Sequence, residues 1–82
     1  MDLGRRSRST AQVRAFGEHL RVLRVQRGLS QERLAHDAGL HRAVVGFIER
    51  GERDVGISHL WPLAEALGVG VRELFPLETP TT

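Results

Sequence analysis

The chain has 82 residues, 40% of them hydrophobic, with no cysteine and a formal net charge of +2. A chain this short buries only about 60% of the surface its unfolded form exposes, so it can hold one small core and no enclosed catalytic cleft. Without cysteine there is no disulfide framework or thiolate metal site, and no stretch approaches the ~18 consecutive apolar residues of a membrane span.

All twelve basic residues are arginine, and lysine, tyrosine and cysteine are missing, so the calculated pI of 11.0 reflects absent titrating groups rather than a strong field. Residues 1–33 carry eight arginines against three carboxylates, and residues 34–82 carry four against seven. That asymmetry suits a nucleic-acid partner approached from one side. The basic N-terminus lacks the apolar core of a secretion signal, and the expectation is a soluble cytoplasmic protein.

Residues 1–10 (MDLGRRSRST) show no apolar periodicity and read as a mobile basic arm. From about Ala11, Val13, Phe16, Leu20 and Leu23 recur at helical spacing, with Thr10 as N-cap and Gly28 as the stop. Ser30 caps a second helix, with Glu32 in its first turn, an inner stripe of Leu34, Ala35 and Ala38, and Gly39 as its end. Leu40 leads into a third helix from about His41 to Arg50, with Val45 and Ile48 inward and Gly51 at the stop. After GERDVG, Leu60, Leu63, Ala64 and Leu67 define a fourth helix closed by Gly68. Val71, Leu74 and Phe75 form a last short turn, Pro76 ends it, and 77–82 is a tail. The fold class is all-α: five short helices, with one domain spanning 11–76.

The pattern LSQ–x2–LA–x3–G–x5–V–x2–IERG runs from Leu29 to Gly51. It resembles the phage repressor/Cro-like (XRE) helix-turn-helix family, and the likeness covers roughly residues 14–75. The run GLHR–x2–V–x2–IERGERDVGI is similar, more narrowly, to controller proteins of restriction–modification systems. The resemblance implies a lambda-repressor-like DNA-binding domain with its helix-turn-helix at about 30–50. The helix at 41–50 then lies in the major groove with its N-terminal end nearest the bases.

Helical spacing turns Arg42, Ala43, Gly46, Phe47 and Arg50 away from Val45 and Ile48, toward DNA. Arg42, Ala43, Gly46 and Phe47 are the candidate base-reading set. The Arg42 guanidinium can donate two parallel hydrogen bonds to guanine O6 and N7; its plain alternative is a phosphate contact. Phe47, a large apolar group facing water, meets either a thymine methyl or a loop or partner subunit. Gly46 costs about 1 kcal/mol of helix propensity relative to alanine, which either a close approach to DNA or tight helix packing would explain. The resemblance makes Gln31 a phosphate contact that also braces Arg42, its plain alternative being an ordinary first-turn polar residue. Arg50 and Arg53 look like phosphate contacts in the loop after the third helix, with pairing to Glu52 or Asp54 as the alternative for Arg53. The resemblance also pairs Arg24 with Glu49 in a structural salt bridge. Arg5, Arg6 and Arg8 either touch a groove or phosphates, or remain solvated.

His19, His36, His41 and His59 show no metal-ligand spacing, and His41 reads as a cap of the third helix. No cofactor or small-molecule ligand is indicated. Pro62 departs from the family pattern, and the fourth helix is expected to begin near His59 or kink there. Gly56 and Gly70 stand where hydroxyl caps are commoner, and Trp61 belongs either to the core edge or to a dimer interface. There is no nucleophile–base pair or glycine-rich phosphate loop, which argues against an enzyme. The leading expectation is a transcriptional regulator that binds double-stranded operator DNA as a homodimer. The alternative is an antitoxin- or adaptor-like protein-interaction module on the same fold.

Overall fold

The computed structural model describes residues 3–77, with side chains described from Thr10 onward. Four α-helices, α1 (Leu3–Gln26), α2 (Gln31–Ala38), α3 (Arg42–Glu49) and α4 (Ile57–Leu67), precede a 3₁₀ turn (Val71–Leu74). No described helix is long and apolar enough to cross a membrane.

α1 begins at Leu3 rather than near Ala11, so 3–10, expected as a mobile arm, are helical and Thr10 lies inside the helix instead of capping it. Apolar periodicity marks only the part of a helix that meets the core. Once that part has formed, each further residue adds one hydrogen bond, and arginine is a good helix former. The side chains of Arg5, Arg6 and Arg8, and residues 78–82 of the expected tail, lie outside the described residues. At 1.5 Å per residue α1 is about 36 Å long, close to the 38 Å longest dimension of the molecule.

The short helices end where local chemistry dictates. Ser30 Oγ accepts the Arg33 N–H at 2.9 Å, the N-cap bond of α2. At the other end Gly39 takes φ +72°, and the Leu40 N–H returns to Ala35 O at 2.8 Å. That left-handed residue turns the chain into α3 at little steric cost. His41 occupies the N-cap position of α3, but its side chain makes no capping bond. Before the 3₁₀ turn the Glu73 carboxylate accepts the Gly70 N–H at 3.0 Å; glycine, lacking a side chain, cannot return the bond.

α4 starts at Ile57, two residues before the expected His59, and Pro62 sits inside it. Proline removes the bond to the Ser58 carbonyl. Ser58 is exposed, so water can take that carbonyl, while Leu63, Ala64 and Leu67 hold the helix by burial against the core.

The core gathers Phe16 and Leu20 of α1, Leu34, Ala35 and Ala38 of α2, and Val45 and Ile48 of α3. Leu63, Ala64 and Leu67 of α4 and Leu74 complete it. Leu23, Leu40, Leu60 and Val71 pack at its margin. Phe75 is half exposed and meets Phe16 edge-on, ring centroids 5.2 Å apart. His19 Nε2 reaches Glu73 O at 2.9 Å, tying α1 to the terminal turn.

Candidate nucleic-acid interface

α3 crosses the molecule with Val45 and Ile48 fully buried and its opposite face open to solvent. Its orientation is set first by α1. A Cβ on Gly17 would overlap the Ile48 carbonyl oxygen and stand 2.8 Å from the Glu49 oxygen. Only glycine allows the two backbones this contact. Gly51, at φ +73°, lies just as close: a Cβ there would be 2.9 Å from Arg14 Cα and overlap the Arg14 side chain. α1 therefore clamps the C-terminal end of α3. Gly17 escaped sequence reasoning, although a glycine between Phe16 and Leu20 inside a helix was a signal, since it costs helix propensity without a local reason.

The second constraint is ionic. Arg24 Nε donates to Glu49 Oε2 at 2.6 Å, and a terminal Arg24 nitrogen donates to Oε1 at 3.1 Å. The other terminal nitrogen donates to Leu29 O at 2.7 Å. The side chains are only 11% and 2% exposed, so this bidentate bridge works in a largely water-free site. Gln31 Nε2 donates to the same carboxylate at 2.9 Å. The brace expected from Gln31 to Arg42 thus runs to Glu49 instead, because the first residue of α2 lies beside the last residue of α3. One carboxylate joins α1, α2 and α3.

On the open face, Gln31, Arg42, Ala43, Gly46, Phe47 and Arg50 line one shallow depression of about 230 Å³. Arg42, Ala43 and Phe47 are exposed, Phe47 by 40%. Gly46 is buried, and the atoms nearest to it belong to side chains rather than to the backbone of a packed helix. The Arg50 side chain lies over it, with Nη1 3.1 Å from where a Cβ would stand, and Gln31 Oε1 is 3.8 Å from the same point. Arg50 also covers Phe47, its guanidinium carbon 5.2 Å from the ring centroid, and its Nε lies 3.2 Å from Glu52 Oε1. Arg53 is exposed and lies outside the depression. Among the described residues neither Arg42 nor Arg53 has an ion-pair partner, so both cations are available to an external anion. No group of three or more His, Asp or Glu able to hold a metal occurs among the described residues.

An α-helix bearing two arginines and an aromatic ring on its open face has the donors to enter a DNA major groove, which admits a helix. Comparison with known proteins agrees. The Helix-turn-helix family matches residues 20–74, more than half of the chain. The control protein C.SmaI of Serratia marcescens is 47% identical over 59 residues, covering 72% of this chain and 70% of that protein. The HTH-type transcriptional regulator SutR of Escherichia coli is 44% identical over 57 residues, 70% of this chain and 32% of that longer protein. Among solved structures, the restriction-modification controller protein C.AhdI from Aeromonas hydrophila superposes with a TM-score of 0.77 at 49% identity, covering 79% of this chain and 98% of that one. The chain belongs to the helix-turn-helix family, and its function is that of a DNA-binding transcriptional regulator.

Proposed function

We propose that the protein is the controller of a restriction–modification system, a cytoplasmic homodimer that reads a two-fold symmetric operator with one α3 in the major groove of each half-site. The observation that carries this reading is the convergence of Gln31, Arg42, Ala43, Gly46, Phe47 and Arg50 on one open surface. The likeness to C.AhdI and C.SmaI supports the choice of regulon.

Arg42, at the first position of α3, donates to guanine O6 and N7, an arrangement worth about 1–3 kcal/mol of discrimination. Ala43 and Phe47 meet thymine methyls, and Gly46 keeps the middle of the helix low enough for the base edges to approach. Gln31 has one amide hydrogen engaged by Glu49 and donates the other to a phosphate. Arg50 and Arg53 take phosphates at the rim. Such contacts fix register rather than sequence.

One α3 reads only a few base pairs, and a dimer doubles the site, its half-sites about 34 Å apart. Ile57 and Trp61, four residues apart on the outer face of α4, are 74% and 59% exposed. They offer an apolar stripe for a symmetric partner.

Selection of binders from a randomised duplex library at moderate salt tests the proposal. A two-fold symmetric consensus is expected. Failure of the folded protein to enrich any sequence would overturn it, and an asymmetric consensus of one half-site would overturn the dimer.

A further inference from the structure

Arg50 does not extend into solvent. Its backbone ends α3, yet its guanidinium folds back along the open face, above Gly46 and against the Phe47 ring. Glu52 holds it there through the 3.2 Å contact with Nε. Glu52 is itself placed by the helix end: its N–H donates to Phe47 O at 2.9 Å after the left-handed Gly51. That turn carries the carboxylate back toward α3. Among the described residues the Glu52 carboxylate makes no other ion pair, and both side chains of the pair are half exposed.

We infer that Glu52 is an internal stand-in for a DNA phosphate, holding Arg50 across the recognition face until DNA displaces it. The inference rests on the DNA-binding reading of that face. A carboxylate and a phosphate compete for the same guanidinium donors, so Arg50 reaches a phosphate only by leaving Glu52. Exposed ion pairs are weak, so Glu52 lowers affinity by a modest factor rather than blocking the site. Because phosphate contacts carry no base identity, that factor is the same on every duplex.

The test uses a duplex carrying the selected consensus and a scrambled duplex of equal length. Both are titrated with the unsubstituted protein, Glu52→Gln, Arg50→Ala and the double variant. Glu52→Gln should bind both duplexes about two- to fivefold more tightly at low salt, the gain shrinking as salt screens the pair. In the Arg50→Ala background the gain should largely vanish. The melting temperature serves as a check that the fold is unchanged.

Unchanged or weaker binding by Glu52→Gln would overturn the inference. So would a loss confined to the consensus duplex, which would make Glu52 a positioning residue for base contact. An equal gain in the Arg50→Ala background would also overturn it, since Glu52 would then act by repelling DNA directly. If the unsubstituted protein binds neither duplex, the DNA reading falls and this inference with it. If it binds and Glu52→Gln changes nothing, only the inference falls.

Discussion

Replacing Glu49 with alanine removes the one carboxylate that joins α1, α2 and α3, and strands the Arg24 guanidinium in a site where its side chain is only 11% exposed. Removing one partner of a buried ion pair costs about 3–5 kcal/mol, because the remaining charge has lost both water and counter-ion. At about 0.05–0.15 kcal/mol per residue, a chain of this length has roughly 4–12 kcal/mol of total stability. The substitution therefore takes a large share of it. With each kcal/mol worth about 4–8 °C in a domain of this size, Glu49→Ala should lower the melting temperature by roughly 12–40 °C in a circular-dichroism scan. Below the new transition its order of preference among duplexes should be unchanged, since Glu49 is buried behind the recognition face. The paired replacement Arg24→Met with Glu49→Leu should recover much of the loss, because it removes the stranded charge. A melting temperature for Glu49→Ala equal to that of the unsubstituted protein would refute the reasoning.

Gly17→Ala adds a methyl group where the Ile48 and Glu49 carbonyl oxygens stand. Overpacking of this kind costs about 1–3 kcal/mol, read as a lower midpoint in urea; an unchanged midpoint would mean that α1 and α3 separate freely. Arg42→Ala should lose discrimination at one or two base pairs per half-site, measured by competition among point-substituted duplexes. Equal weakening on all of them would make Arg42 a phosphate contact. The hydrogen bonds from Arg33, followed by that from His36, hold the Asp37 carboxyl below its ordinary value of 3.8. A carboxyl lowered in this way contributes stability above its unfolded pKa and loses it as pH falls through the folded value. Asp37→Asn should therefore make stability less steeply dependent on pH below about 3.8, in chemical denaturation followed across acid pH. A slope equal to that of the unsubstituted protein would remove Asp37 from the acid response.

Most helix boundaries and the inner and outer faces of α2 and α3 were legible in the sequence. Ser30 and Gly39 act on backbone groups within four residues of themselves, and the 3.6-residue repeat separates Val45 and Ile48 from Arg42 and Phe47 without reference to any other helix. The Arg24–Glu49 bridge was reached through the family resemblance, because nothing local marks two residues 25 apart as partners. Tertiary structure alone decided the rest. α1 extends to Leu3 because a helix anchored by packing propagates beyond its packed part, where no apolar pattern records it. Gln31 turns to Glu49 instead of Arg42 because α2 and α3 meet at an angle that no spacing rule contains. Gly17 is small because of what lies over it, the α3 carbonyls. Capping and periodicity depend on covalent neighbours and can be read along the chain. Close approach, shared carboxylates and the resting place of a long side chain depend on surfaces that exist only once the helices have packed.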